Sequence, residues 1–280
     1  MKYCVLYNPF SGNGHGREEA ENLKKILKDE LKFISMPDIS DFNSFFKKTK
    51  EDIIICGGDG TLNYFINHTN NIDYDNNILY YSTGTGNDFY NDVGDNNKFP
   101  FNINKYLKNL PIVTVNSKDY CFLNGVGYGI DGYCCEEGDR LKKKNNKPVN
   151  YTSIAIKGLL YKYKPCDATI YVDGERYDFE KVWLAPTMNG RFYGGGMMIA
   201  PNQDRLNSEH KVTIVVMYGK GKLQTLLAFP SIFKGKHIEK KNMIKVFEGY
   251  NIKVEFKRPT ALQIDGETFT GITEYTVNTR

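Results

Sequence analysis

The chain has 280 residues, 40% of them hydrophobic, with 37 Lys and Arg against 33 Asp and Glu and a formal net charge of +4. This is enough chain for two domains and enough apolar content for a packed core, which excludes a disordered protein; the small charge, without a basic stripe, gives no argument for nucleic acid as a partner. No apolar run approaches the ~20 residues of a membrane-spanning helix, and Met1-Lys2-Tyr3-Cys4 enters a strand without the shape of a signal peptide.

In chain order, Tyr3-Cys4-Val5-Leu6-Tyr7 reads as a strand. It runs into the polar glycine loop Asn8-Pro9-Phe10-Ser11-Gly12-Asn13-Gly14 and then a helix near 17–29. A strand near 31–36 and a helix near 40–49 follow. The apolar run Asp52-Ile53-Ile54-Ile55 leads through Cys56-Gly57-Gly58-Asp59-Gly60-Thr61-Leu62-Asn63 into a helix near 61–69, a strand, glycine turn and helix in succession. The design repeats where the strand Ile78–Ser82 enters Thr83-Gly84-Thr85-Gly86-Asn87-Asp88-Phe89. A helix near 103–109 closes the alternation, which predicts a mostly parallel sheet covered by helices.

From about residue 112 the pattern turns to short strands: 111–115, 119–123, 168–172, 181–185, 211–217 and 251–256. Asp173-Gly174 marks a hairpin, and one helix near 150–163 interrupts. The lysines 142, 143, 144 and 147, among Asn145, Asn146 and Pro148, read as a solvated loop. The stretch from Leu223 to Phe233, followed by Lys234, Lys236, Lys240 and Lys241, reads either as a core-facing helix with a wet side or as a surface that rests on an anionic membrane. Cysteines at 4, 56, 121, 134, 135 and 166 form no Cys-x-x-Cys pair, which fits reduced thiols in a cytoplasmic protein.

The three glycine loops each follow a strand, where open α/β sheets bind ligands. Their glycines admit close backbone approach, and turn amides at a helix start bind anions. Asp59 puts a carboxylate in such a turn, where it needs a metal, a nucleophile to orient or a proton to take. That combination points to phosphoryl transfer, with Asp-Gly as a plain hairpin turn the competing reading. The chain carries neither a P-loop signature nor the protein-kinase set. Acids in glycine turns remain: Asp59, Asp88, and Asp265 with Glu267; taken alone, Asp265-Gly266-Glu267 reads first as a plain hairpin turn.

These motifs, with the opening Asn-Pro-x-Ser-Gly, Leu262-Gln263-Ile264-Asp265-Gly266-Glu267, and Asn189 followed by Gly194-Gly195-Gly196-Met197 and Ile199-Ala200-Pro201, resemble the diacylglycerol kinase catalytic family, which includes sphingosine and ceramide kinases and is distantly similar to NAD kinases and phosphofructokinases. The resemblance spans nearly the whole chain. It implies an N-terminal Rossmann-like α/β domain (1–113, with a returning tail about 273–280), a C-terminal β-sandwich domain (114–272), and an active site in the cleft between them. It implies ATP and Mg2+ as cofactors, with Asn8, Pro9, Ser11, Gly12, Gly57, Gly58, Asp59, Gly60, Thr61, Asn63, Gly84, Thr85 and Asn87 at the nucleotide.

Glu267 resembles the general base, and Asp59, Asp88 and Asp265 complete the acids assigned to catalysis; Asp59 and Glu267 are expected to matter for turnover and not for folding. The family's accessory metal site maps to Asp204, Asn207 and Glu209, but the usual Asp-Gly reads Asn207-Ser208 here, which puts that site in doubt. The implied acceptor is a lipid alcohol, diacylglycerol or a relative in phospholipid biosynthesis. A cytoplasmic enzyme that docks transiently on the membrane, through 223–241, would reach it; a homodimer is compatible. The alternatives are an NAD kinase-like phosphorylation of a soluble substrate and a non-catalytic nucleotide-binding relative.

Overall fold

The computed structural model describes residues 2–84, 86–94, 99–145 and 151–279. The chain divides into two compact units, Met1–Lys108 and Asn109–Arg280.

The first unit runs β1 (Lys2–Tyr7), α1 (Gly16–Glu21), β2 (Glu30–Ser35), α2 (Phe42–Lys48), β3 (Asp52–Gly57), α3 (Asp59–Thr69), β4 (Ile78–Ser82), α4 (Asp88–Val93) and β5 (Phe101–Asn102). The sheet order is β2-β1-β3-β4-β5; neighbours among the first four are parallel and β5 is antiparallel to β4. Strands β1 and β3 are continuous apolar runs because helices cover both faces. Val5, Tyr7, Ile54 and Cys56 pack with Ala20 and Leu23 on one side. On α2 and α3, Phe42, Phe46 and Phe65 meet edge to face, and Phe46 stacks on Tyr74 at 4.4 Å. The helix expected over 17–29 is shorter, α1 passing into a 3-10 turn over Asn22–Lys25. The one expected over 103–109 is a single turn, Asn104–Tyr106. There the Asn104 side chain accepts from the Ile78 amide (2.8 Å) and donates to the Asn76 carbonyl (3.0 Å), so it ties the turn to β4 and competes with helix formation.

The second unit runs β6 (Ile112–Val115), β7 (Lys118–Cys121), β8 (Gly125–Gly129), α5 (Ile130–Asn145), α6 (Tyr151–Lys157), β9 (Cys166–Val172), β10 (Glu175–Val182), β11 (Leu184–Met188), β12 (Phe192–Tyr193), β13 (Met197–Met198), β14 (Val212–Met217), α7 (Lys222–Ala228), β15 (Ile244–Gly249), β16 (Asn251–Ile264) and β17 (Glu267–Asn278). Ten strands form one sheet, β15-β14-β11-β8-β16-β17-β6-β7, with β9 and β10 joined at β16; β12 and β13 form a separate ribbon. The long β16 makes this a double layer. Its first half pairs with β9 and its last residues with β8, and its register with β17 breaks on either side of Thr260. Such breaks bend a strand, and both halves contribute to one apolar core of Val126, Tyr128, Ile170, Ile214, Val254, Leu262 and Tyr275. Strand β14 is buried along its length: Val215 and Met217, on its other face, meet a second core under α6, α7 and Trp183.

The Asp173-Gly174 hairpin joins β9 to β10 as expected. Three expectations change. The tail about 273–280 belongs to the second unit: β17 pairs with β16 and β6 and buries Tyr275 and Val277 there. Lys142, Lys143 and Lys144, expected in a loop, lie in the last turns of α5, a helix unmarked by capping residues or a clean apolar stripe; Lys147, Asn146, Pro148 and Asn150 lie outside the described residues. The helix expected over 150–163 is α6 followed by a wider turn, Gly158–Lys162. Because Tyr275 is fully buried and its hydroxyl meets Thr187 (2.9 Å) and the Ala185 carbonyl (3.1 Å), Tyr275→Ala is expected to destabilise the second unit by about 3–5 kcal/mol, measured by urea unfolding.

Candidate functional site

In the first unit, parallel strands β1, β3 and β4 lie side by side and end in the three glycine loops. Asn8 folds the first: its Oδ1 accepts from the Phe10 amide (3.0 Å), and its carbonyl accepts from the Ser11 amide (3.1 Å) and hydroxyl (2.7 Å). Pro9 fixes the backbone between them. Gly12 takes φ +55°, and the Glu19 carboxylate fills the space a side chain there would need. Helix α3 starts directly after β3 with Gly58 as its cap, so its first amides and the positive end of its dipole lie at the carboxyl ends of the strands. A Cβ on Gly57 would lie 2.3 Å from the Thr61 hydroxyl, so Thr61 closes over the turn. Asn63, one turn into α3, accepts from the Asn67 side chain.

The second and third loops are locked together. A Cβ on Gly84 would lie 2.6 Å from the Gly58 Cα, and one on Gly58 3.1 Å from the Gly84 Cα, so the backbones touch only because both residues are glycine. Asp59 closes the same junction. Its Oδ2 accepts from the Asp88 amide (2.8 Å) and its Oδ1 from the Phe89 amide (2.9 Å), the first amides of α4. Asn87 turns the chain there at φ +49° and donates to the Gly84 carbonyl. Asp88 is buried. Asp59 thus braces the loops, and the expectation that it is unimportant for folding does not fit this geometry. Thr85 lies outside the described residues. Among the described residues, Asn87 Oδ1 and Glu19 Oε2 are buried at these strand ends without a hydrogen-bond partner, which is uncommon. Sequence reasoning missed Glu19, which sits on a helix face with no motif around it.

In the second unit, Asp265 (φ +46°) and Gly266 (φ +92°) form the tight turn of the β16–β17 hairpin. The Asp265 carboxylate accepts three backbone N–H groups, from Leu123 (2.6 Å), Asn124 (2.8 Å) and Gly125 (2.9 Å). The carbonyl of Leu123 accepts from Asn189 Nδ2 (3.0 Å) and Arg205 Nη1 (2.9 Å), and that of Asn124 from the Asn189 and Gly190 amides. Residues far apart in sequence therefore converge on Leu123–Gly125. Gln263 Oε1 accepts from the Gly266 amide (2.8 Å) and closes the turn. Asp265, expected among the catalytic acids, is placed as an anchor. The turn it fixes leaves the neighbouring Glu267 exposed to solvent.

Asp131, at the start of α5, is a second acid that sequence reasoning missed. It is buried, and neither carboxylate oxygen has a well-formed hydrogen bond among the described residues. Gly127 leaves room for it: a Cβ there would lie 1.7 Å from Oδ2 and 3.2 Å from Gln263 Nε2. Burial pushes its pKa up to about 7, only partly relieved by the first α5 amides and the Gln263 amide nearby. Cys134, Cys135, Tyr163 and Tyr275 around it are themselves held protonated, chiefly by burial.

The residues expected to hold an accessory metal make these contacts within the protein. Asn207 donates to the carbonyls of Asp204 (2.6 Å) and Lys211 (3.0 Å), and its Oδ1 accepts from the Lys211 amide (2.9 Å). Asp204 Oδ1 accepts from the Leu206 amide (2.9 Å), and Glu209 pairs with the Lys211 ammonium at 2.8 Å. An amide clasp thus engages Asn207, and an exposed ion pair engages Glu209. Among the described residues no group of three or more His, Cys, Asp or Glu is arranged to hold a metal ion.

An α/β unit with glycine loops at its strand ends, followed by a β-rich unit with an acid-bearing hairpin, is the two-domain fold of diacylglycerol kinases. Residues 2–114 match the diacylglycerol kinase catalytic domain, and residues 124–277 match the YegS C-terminal NAD kinase beta sandwich-like domain. The chain belongs to the diacylglycerol kinase family that these two domains define, a kinase family. It is 25% identical to a diacylglycerol kinase of Mycobacterium tuberculosis (strain ATCC 25618 / H37Rv) over 254 residues, 85% of this chain and 80% of that one. It also resembles a crystal structure of a diacylglycerol kinase from Bacillus anthracis strain Sterne, with a TM-score of 0.61, 19% identity, and coverage of 100% of this chain and 93% of that one.

Two outcomes follow. With the folded pKa of Asp131 raised, the folded state holds a proton between pH ~4 and about 7 that the unfolded chain has released, so stability falls as pH rises through that window, by about 1.4 kcal/mol per pH unit. Asp131→Asn removes this slope. The difference between the two proteins in urea unfolding from pH 4 to 8 isolates it, because buried His237, whose pKa is held down to about 4, contributes equally to both. Asn207→Ala is expected to cost about 1–3 kcal/mol, and the wild-type melting temperature to be the same in magnesium and in chelator, both read by calorimetry.

Proposed function

We propose that this protein is an ATP-dependent lipid kinase that transfers the γ-phosphate to the hydroxyl of a membrane lipid, with diacylglycerol the first candidate. The observation that carries the reading is the Gly58–Gly84 backbone contact closed by Asp59, which gathers the start of α3 and two glycine loops into one amide-rich surface suited to a polyphosphate. Asn8, Ser11 and Gly12 add the third side. Magnesium, when bound with the nucleotide, would offset the phosphate charge; Asp59 and Asp88 are the acids at these loops that would hold it. Glu267 is the general base: it takes the proton of the acceptor hydroxyl as the new O–P bond forms and the bond to the ADP leaving oxygen breaks. Asp265 acts by fixing the turn that carries Glu267. No helix among the described residues is long and apolar enough to cross a membrane, so a membrane acceptor requires peripheral docking.

Three variants test this. A Cβ on Gly60 meets nothing within 4 Å, so Gly60→Val is expected to keep the fold while obstructing the phosphate surface, with ATP affinity in calorimetric titration falling at least ~10-fold. Glu267→Gln is expected to keep its melting temperature within a few degrees and lose ~10²–10⁴-fold in kcat, assayed with Mg-ATP and a lipid-alcohol panel in mixed micelles. Asp59→Asn keeps only one charge-free acceptor for two amides and is expected to lose both rate and about 1–3 kcal/mol of stability. Full kcat in Glu267→Gln would remove it from the chemistry. Phosphorylation of NAD with every lipid alcohol inert would replace the lipid reading with the soluble-acceptor one.

A further inference from the structure

Helix α7 passes directly into the turn Phe229–Lys234. One side of this segment is ordinary: Thr225, Ala228, Phe229 and Ile232 are buried against the core under α6 and Trp183. The other side is not. Leu223 and Leu227, at i and i+4 and so on one ridge of the helix, are 68% and 73% exposed, and Phe233 is exposed beyond them. A surface helix normally carries charged or polar side chains at such positions. Lysines stand at both ends: between residues 219 and 241 there are Lys220, Lys222, Lys234, Lys236, Lys240 and Lys241 against the single acid Glu239.

We infer that the outer face of α7, with Leu223, Leu227 and Phe233 inserted and the lysines at its rim, is the surface by which this protein docks on an anionic lipid bilayer. The pattern matches an interfacial helix, whose apolar face enters the headgroup boundary while its basic residues meet anionic lipids. A second copy of the chain fits less well, because a two-fold contact through this face would set the same cationic rim against itself. The inference deepens the lipid-kinase reading, and rests on it only for what is phosphorylated after docking.

The test is co-sedimentation of the purified full chain with phosphatidylcholine vesicles and with vesicles containing phosphatidylglycerol, at low and high salt. Binding is expected to the phosphatidylglycerol vesicles alone and to weaken as salt rises. Leu223→Glu with Leu227→Glu is expected to cut it at least ~10-fold, and Lys234→Ala, Lys236→Ala, Lys240→Ala and Lys241→Ala together to cut it and flatten its salt dependence. Both variants alter exposed side chains and should melt as the wild type does. Activity on a short-chain acceptor in mixed micelles is expected to be unchanged in the leucine variant, which separates failed docking from failed catalysis. Equal vesicle binding by wild type and the leucine variant, binding to phosphatidylcholine alone, or a dimer in size-exclusion chromatography that the leucine variant abolishes with no vesicle binding would each overturn the proposal.

Discussion

The arrangement of both units depends on a carboxylate that takes up backbone N–H groups from another loop. Asp59 binds two amides 29 and 30 residues away, and Asp265 binds three that are 140 to 142 residues away. A loop of this length would otherwise leave amides to water and wander. A charged acceptor supplies bonds stronger than neutral ones and fixes both ends at once. In each unit the residues suited to chemistry are then carried on a loop that a neighbouring acid holds still. The division of labour across the Asp265-Gly266-Glu267 turn is plain: one carboxylate accepts three backbone amides, and the other is left exposed.

Local patterns were legible in the sequence. The strand and helix alternation of the first unit follows from apolar runs such as Ile53-Ile54-Ile55, and the Asp-Gly pairs at 173 and 265 both form the tight hairpins their chemistry favours. Contacts made across long separations were not. Nothing around Asp59 says that its oxygens face the amides of α4, and nothing in the mixed composition of α5 signals a 16-residue helix. The tail was misplaced because an alternating strand such as Glu267–Asn278 can complete either sheet; the inward Tyr275 and Val277 decide it only once the partner strands are known. Asp131 escaped for a related reason: a lone acid after a glycine-rich strand resembles a helix start, and its burial is a property of the packed unit.

The loop Asp204–Lys211 is held by its own side chains. The amide of Asn207 ties the loop to itself in three places, and the Lys211 ammonium stands beside Glu209 while also resting over the Tyr250 ring, 5.1 Å from its centre.

The contact between Gly58 and Gly84 has a consequence for how sequences of this kind are interpreted. Each glycine is required by the other's backbone, before any ligand is considered. A methyl group on Gly84 would collide with the main chain of Gly58, and one on Gly58 would press tightly on that of Gly84. A descendant that had lost its reaction but kept its shape would still carry both motifs intact. The glycines therefore report architecture, and their presence does not by itself say whether a given chain still performs chemistry.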